Sequence, residues 1–268
     1  LWLDRSLTYS AARWGDRRQD PRQVAISPVS LELAQEAKLD FHLKAVGVGP
    51  GDTLLDVGCG WGSMLRRAVE RYGVAAAIGL TLSTDQYNHV RALDLPGVEV
   101  RLENYEDYRP AEKFAGIVSV GALEHFTRPG LSAAEKITIY RRFFEQCRDW
   151  LDPGARLSLQ CITWGNVPRD RTGFIMAQDV FPETDPPYVT DVLDASAHTF
   201  EPLYMENCRS DYVRTLEVWL ERLRARQPEI EAMTTEGTFE FYEHYLRRSI
   251  YGFKRKQLQL CRFVFQRH

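Results

Sequence analysis

The sequence predicts an α/β fold in which a mostly parallel sheet is flanked by helices. Three observations carry that prediction. Residues 54–63 read Leu-Leu-Asp-Val-Gly-Cys-Gly-Trp-Gly-Ser, an apolar run followed by alternate glycines and then an amphipathic stretch, which is a strand, a tight turn and a helix. Short apolar runs then alternate with amphipathic segments in the order β-α-β-α-β-β-α-β. Residues 116–121 form a run that is apolar but for Ser119, as in a strand covered on both faces.

The elements follow in chain order. Leu1-Trp2-Leu3 reads as opening inside a helix, which implies residues upstream, and 8–22 is polar and irregular. Ser30 is placed to cap a helix whose expected buried row is Leu33, Ala37, Phe41 and Ala45, and the glycines at 47–51 stop it. The first strand spans 53–57 and its helix runs to 72; the second strand is 75–80, with a helix over 84–93. Val98, Val100 and Leu102 alternate as a third strand. After the fourth strand comes a helix over 132–151, then Pro153-Gly154 and a fifth strand over 156–163. The rhythm breaks after Trp164, and 165–202 is rich in Pro, Asp and Thr, as expected of an inserted lid with one helix. Residues 211–226 and 236–253 are helical, and 258–265 is a closing strand. The expected organisation is one domain over 1–268: an N-terminal cap at 1–46, a cofactor-binding core at 47–164, a lid at 165–210, and C-terminal helices with the closing strand at 211–268.

The glycine turn points to a cofactor. Gly58, Gly60 and Gly62 lack a Cβ, so the backbone can take positive φ and approach a ligand, although tight strand-helix turns also use glycine for steric reasons alone. The spacing is G-x-G-x-G after Asp56, whereas the dinucleotide fingerprint is G-x-G-x-x-G. The second strand ends in Thr81-Leu82-Ser83, with no acid to take a ribose. A nucleotide-like cofactor that is not a dinucleotide is the reading.

Composition narrows the class. Of 268 residues 44% are hydrophobic, enough for a full core, and the net charge of -3 argues against broad nucleic-acid binding. No apolar run of about 18 residues predicts a membrane span, and no secretory signal is seen. The five cysteines at 59, 147, 161, 208 and 261 form no C-x-x-C pair, which fits buried thiols in the cytoplasm and no metal site.

Jointly, several motifs resemble one family, the cyclopropane fatty-acid and mycolic-acid cyclopropane synthases with their methyltransferase relatives. The motifs are Leu7-Thr8-Tyr9-Ser10, the glycine turn, Gly79-Leu80-Thr81-Leu82-Ser83 with Gln86, Ser119-Val120-Gly121-Ala122-Leu123-Glu124-His125-Phe126, Tyr212-Val213-Arg214-Thr215-Leu216, and residues 242–262. The likeness runs over almost the whole chain. It implies a class I (Rossmann-like) methyltransferase fold with a seven-stranded sheet, a helical lid and an N-terminal helical segment. It also implies S-adenosylmethionine (SAM) as methyl donor, S-adenosylhomocysteine (SAH) as its product, and an alkene-bearing acyl substrate. By the same likeness Tyr9, Ser10, Gly58 and Gly60 would hold the methionine half of SAM, with Asp56 and Val120 beside them. Thr81, Leu82 and Gln86 would hold the ribose, and Tyr105 and Glu106 the adenine, with tyrosine where the family carries tryptophan.

Methyl transfer to an alkene leaves a carbocation, which needs aromatic faces or a carboxylate and then a base. Proton loss from the new methyl closes a cyclopropane; loss from a neighbouring carbon gives a branched alkene. In the resembling synthases bicarbonate is held among a Cys, a Glu, a His and a Tyr. Glu124, Ile162 and Tyr212 match that set here, but Ala11 stands for the Cys and Gln160 for the His, so bicarbonate is doubtful. Glu124 is expected to be the base or cation stabiliser, with Tyr212 and His125 beside it, although a Glu-His pair after a strand also reads as a helix-start charge pair. Phe174, Leu216, Tyr245, Ser249 and Phe253 resemble acyl-tunnel positions, and the last three are spaced by four on one helix face. The family's Gly-Cys-Ala is Arg248-Ser249-Ile250 here, and its Phe-Pro-Gly-Gly is Phe181-Pro182-Glu183-Thr184, both of which imply a reshaped tunnel.

Arg247, Arg248, Lys254, Arg255 and Lys256 form a basic cluster that could meet a phospholipid surface, a diphosphate or an acidic carrier protein, or be a solvated helix end. The expected function is SAM-dependent C-methylation of an unsaturated apolar substrate, acyl, prenyl or polyketide-like, free or carrier-bound. The alternatives are cyclopropane synthesis, and N- or O-methylation of a small natural product.

Overall fold

The computed structural model describes residues 2–15, 30–174 and 184–268, the side chains of 173 and 174 excepted. Its centre is a seven-stranded sheet in the order β3-β2-β1-β4-β5-β7-β6. The strands are β1 (Thr53–Val57), β2 (Ala76–Thr81), β3 (Val98–Leu102), β4 (Phe114–Val120), β5 (Leu151–Trp164), β6 (Phe200–Asn207) and β7 (Leu258–Arg267). β1 to β5 are parallel to one another, and β7 runs antiparallel between β5 and β6. The chain leaves β1 for β2 on one side and returns to β4 on the other, so a crevice opens above the carboxyl ends of β1 and β4.

Helices α1 (Leu31–Val46) and α2 (Ser63–Tyr72) cover one face, packing Leu39, Leu43, Leu65 and Ala68 on Leu54 and Val118. Helices α4 (Ala133–Trp150) and α5 (Val189–Ser196) cover the other with Tyr140, Phe143, Phe144 and Val192. The short helix α3 (Thr84–Ala92) follows β2, capped by Ser83 Oγ, which accepts from the Gln86 amide at 3.3 Å. A third cluster joins residues 11–12 to α6 (Arg209–Ala225), α7 (Gln227–Met233) and α8 (Thr238–Lys254) through Ala11, Ala12, Trp219, Ile230, Phe239 and Phe253.

Several expectations need correction. Helix α1 has the cap and stop expected of Ser30 and Gly47, but it buries Leu31, Ala34, Gln35, Lys38, Leu39, His42, Leu43 and Val46, not the row of Leu33, Ala37, Phe41 and Ala45. Three polar residues lie on the inward face because each has work there: Gln35 Nε2 donates to the Ser10 carbonyl at 2.8 Å, Lys38 Nζ to Ser10 Oγ at 3.0 Å, and His42 Nδ1 meets Ser158 Oγ at 2.8 Å. Trp2 and Leu3 are not helical; the Trp2 ring lies 4.7 Å from that of Tyr242. The stretch 165–210 is not one insertion, since α5 packs on α4 and β6 completes the sheet. The patch 175–181 and the Phe181-Pro182-Glu183 motif lie outside the described residues.

Packing at the start of the crevice is tight. A Cβ on Gly79 of β2 would lie 2.6 Å from Leu65 Cδ1 and 2.7 Å from Cys59 Sγ. Gly79→Ala is therefore expected to lower unfolding stability by about 1–3 kcal/mol, read from the urea midpoint. An unchanged midpoint would show that the turn and α2 are not held against β2 in this way.

Candidate active site

A cavity of about 1430 Å³ fills the crevice. The turns after β1, β2 and β4, the end of β5, residues 7–11 and one side of α8 form its walls. All eleven residues expected to hold the cofactor line it: Tyr9, Ser10, Asp56, Gly58, Gly60, Thr81, Leu82, Gln86, Tyr105, Glu106 and Val120. So do Glu124, His125 and Tyr212, and Ala11, Gln160, Ile162, Tyr245, Ser249 and Phe253. Leu216 does not: it is fully buried in the cluster between α6 and α8, behind the wall. Phe174 ends a 3₁₀ turn, and its side chain lies outside the described set.

The glycine turn is built as its spacing requires. Gly58, Gly60 and Gly62 have φ of 86°, 55° and 82°. The amides of Gly58 and Cys59 donate to the Leu80 carbonyl at 3.0 and 2.9 Å, tying the turn to β2. A Cβ on Gly58 would sit 2.7 Å from Ala122 Cβ, so this glycine is a packing requirement. At Gly60 a Cβ would meet no protein atom within 4 Å, so its bare backbone faces open cavity. Helix α2 starts there with Ser63 and Met64 on the cavity wall and no acid in its first turn, leaving its N-terminal dipole available to an anion.

Two buried ionisable groups, Asp56 and Lys38, lie beside the turn. Burial pushes the Asp56 carboxyl up to about 7 against the pull of Lys38, and Asp56 Oδ1 has no hydrogen-bond partner among the described residues. Burial and the charge of Arg262 push the Lys38 ammonium down to about 7. An amino-acid zwitterion fits this pair: Asp56 would face its ammonium, and Lys38 with the α2 N-terminus its carboxylate. Thr81 Oγ1 donates to Gln86 Oε1 at 2.7 Å, which leaves the Gln86 amide nitrogen to a diol. Tyr105 stacks on Phe126 at 4.5 Å and meets Phe143 edge-on at 5.5 Å, a rigid apolar slot for a flat ring. The residues present therefore fit SAM.

Beyond Val120 lies the expected reacting end. Gly121, at φ 75°, turns the chain after β4 into a 3₁₀ turn over Leu123–His125, which aims Glu124 inward. Glu124 is 3% exposed; its Oε1 accepts from the Ile162 amide at 3.1 Å, and its Oε2 is buried without a partner among the described residues. Burial raises this carboxyl to about 7, against donation from its own and the Ile162 amides. His125 turns away to Thr184 Oγ1 at 2.8 Å, and burial lowers it, so it orients the loop as a neutral ring. Aromatic faces surround the centre: Tyr212 lies 4.8 Å from Phe253 and 6.3 Å from Trp219, on which Tyr9 stacks at 5.2 Å.

Gln160 is held from behind. Arg262, fully buried, donates from Nε to Gln160 Oε1 at 2.8 Å, from Nη1 to Asp211 Oδ2 at 3.2 Å, and from Nη2 to the Ala12 carbonyl at 3.1 Å. Sequence reading missed Gln35, Lys38, His42, Asp211 and Arg262. For the first three a signal existed: Leu31, Ala34, Leu39, Leu43 and Val46 mark a stripe at helical spacing that also contains them. Asp211 and Arg262 meet only through tertiary structure.

Comparison with known proteins is consistent with this geometry. The family model for mycolic acid cyclopropane synthetase matches residues 1–263. Cyclopropane mycolic acid synthase 2 of Mycobacterium bovis is 34% identical over 284 residues, covering 98% of this chain and 88% of its own. The structure of the cyclopropane synthase MmaA2 from Mycobacterium tuberculosis superposes with a TM-score of 0.84 at 31% identity, over 99% of this chain and 92% of that one. That of the mycolic acid cyclopropane synthase CmaA1, complexed with SAH and CTAB, gives the same TM-score, identity and coverage.

Proposed function

We propose, because this chain belongs to the mycolic acid cyclopropane synthetase family, that it is a SAM-dependent methyltransferase acting on the carbon–carbon double bond of an apolar chain and finishing by cyclopropane closure. The observation that carries the reading is Glu124: one buried carboxylate oxygen without a partner among the described residues, in the same cavity as the cofactor-fitting turn and an aromatic wall. The names of the relatives favour ring closure over the branched alkene expected from the motifs alone.

SAM, when bound, supplies an electrophilic methyl carbon to the alkene. The residues of this chain do the rest. The rings of Tyr212 and Phe253 face the positive charge that develops on the substrate, at about 0.5–2 kcal/mol per ring. Glu124 then takes a proton from the transferred methyl at Oε2, and the electron pair of that C–H bond closes the three-membered ring. An apolar wall excludes water, which would otherwise trap the cation.

Branched-alkene formation is a second reading, and Gln160 favours it. Its Oε1 is occupied by Arg262, so it presents a non-titrating amide donor, and Ala11 offers no thiol. Bicarbonate does not fit this pair as it would a thiol and an imidazole, so the proton falls to Glu124. Product structure decides between the two. The purified protein, given SAM and cis-unsaturated acyl lipids, is expected to yield upfield cyclopropane protons by NMR; retained vinyl protons with a new methyl would select the branched product. A methyl on oxygen or nitrogen would overturn both. Ala11→Cys with Gln160→His is expected to raise the share of ring product when bicarbonate is added.

A further inference from the structure

We propose that His42 is a positioning residue of this site: its Nε2–H donates to Gln160 Oε1 alongside Arg262, locks the amide with its NH₂ toward the cavity, and so sets how the reaction divides between ring and branched product. The division of products rests on the reading above; the hydrogen bond does not. Residues 158, 160 and 162 alternate onto one face of β5. Gln35, Lys38 and His42 are spaced by three and four on the inward face of α1, which packs on that strand. Gln35 and Lys38 hold Ser10, whereas His42 turns to β5, where its Nδ1 lies 2.8 Å from Ser158 Oγ. Both His42 and Ser158 are fully buried. The other ring nitrogen, Nε2, is buried too and closes no full hydrogen bond among the described residues. Gln160 acts on this ring in the sense that favours its protonated form, which is the sense of a ring N–H donating to an amide oxygen.

Donor accounting fixes the tautomer. Burial, then Arg262 on β7, Lys38 on α1 and Arg13 in the N-terminal segment hold the ring well below the ordinary imidazole range, so it is neutral and has one N–H to place. At Nδ1 that proton would leave the Nε2 lone pair against Gln160 Oε1, which Arg262 Nε already holds at 2.8 Å. At Nε2 it suits both contacts: the Ser158 hydroxyl donates to Nδ1, and Nε2–H becomes the second donor to Oε1. Two donors on the oxygen exclude the flipped amide. The direction matters because Gln160 and Glu124 line one cavity, and Glu124 Oε1 accepts from the amide of Ile162, on the same face of β5 as Gln160. An inward NH₂ turns the positive end of the amide dipole into the chamber that holds Glu124. Charge developing on the substrate is then favoured toward Glu124 and the rings of Tyr212 and Phe253, and disfavoured against Gln160. A flipped amide would present its oxygen and reverse that preference, and with it the carbon that loses the proton.

Two variants separate positioning from packing. In His42→Asn the short amide can keep the contact with Ser158 but does not reach Gln160. In His42→Gln the longer amide puts an N–H where Nε2 stood. His42→Asn is expected to shift the ratio of ring to branched product by about twofold or more, as loss of one net hydrogen bond would, with SAH affinity retained. His42→Gln should restore the wild-type ratio. An unchanged ratio in His42→Asn, or equal shifts in the two variants, overturns the proposal and leaves His42 a packing residue. Nitrogen NMR of the histidine-labelled, SAH-loaded wild type reads the bond without turnover, which keeps the test open if a variant folds poorly. The His42 ring is expected to show Nε2 protonated and Nδ1 bare, and Gln160→Leu should move the Nε2–H signal. A proton on Nδ1 with Nε2 bare, or an Nε2–H signal indifferent to Gln160→Leu, overturns the proposal. Wild-type protein that shows the Nε2–H bond but makes neither product would instead strike at the methyltransferase reading.

Discussion

Glu124→Gln is expected to lower methyl turnover by about 10²–10⁴-fold while SAH still binds with unchanged affinity. The substitution keeps the shape of the side chain and an oxygen to accept from the Ile162 amide, so the fold of the 3₁₀ turn should survive. What it removes is the carboxylate proposed to accept the proton. The pH profile gives a second readout. Burial raises the carboxyl to about 7, so it is neutral and inactive as a base below that value and charged above it. Wild-type turnover should therefore rise as pH passes through about 7, and the residual rate of the variant should not. The same shift has a consequence for stability. A carboxyl raised on folding stabilises the native state fully below the unfolded carboxylate range, and that contribution is lost as pH rises to about 7. The glutamine variant should lose the part of this decline that belongs to Glu124 and keep the part that belongs to Asp56, which burial raises over the same range. A variant with wild-type turnover would remove Glu124 from the chemistry.

Most of the architecture was legible because it is written in local patterns. The turn from Gly58 to Gly62 sits between a strand and a helix, and six of the seven strands were visible as apolar runs. The seventh, β6, was not. It is an edge strand paired only with β7, it contains Pro202, and Glu201 to Met205 are exposed, so neither face has an apolar pattern. Helix α7 was missed for its length: seven residues beginning Gln227-Pro228 give too few turns for a period to show. The inward face of α1 was misread because apolarity was taken as the mark of burial, whereas Gln35, Lys38 and His42 are buried by their hydrogen bonds. The residues expected to hold the cofactor cluster on motifs, and the structure brings them into one cavity; Leu216 was misplaced because an apolar helix residue looks the same whether it faces a tunnel or the core behind it.

The least legible feature governs the largest expected effect on stability. Arg262 lies on β7, Gln160 on its partner strand β5, and Asp211 at the start of α6, where its charge also suits the helix dipole. Nothing local marks these three as a unit. Together they bury a guanidinium with no exposed surface, and its hydrogen bonds reach residue 12, the sheet and the helix that carries Tyr212. Arg262→Met should destabilise the protein by about 3–5 kcal/mol, because it removes the fully buried guanidinium that pairs with Asp211 and bonds Gln160 and the Ala12 carbonyl. Adding Asp211→Leu should recover part of that loss, since two apolar groups leave no buried charge behind. Urea unfolding of the wild type, the single variant and the double variant separates the two effects. A single variant within about 1 kcal/mol of wild type would show that Asp211 finds water or another partner. Because the same guanidinium holds the oxygen of Gln160, the double variant should regain stability without regaining a fixed amide donor in the cavity. Its product ratio should therefore differ from wild type even where its folding does not, and an unchanged ratio would confine Arg262 to a purely structural role.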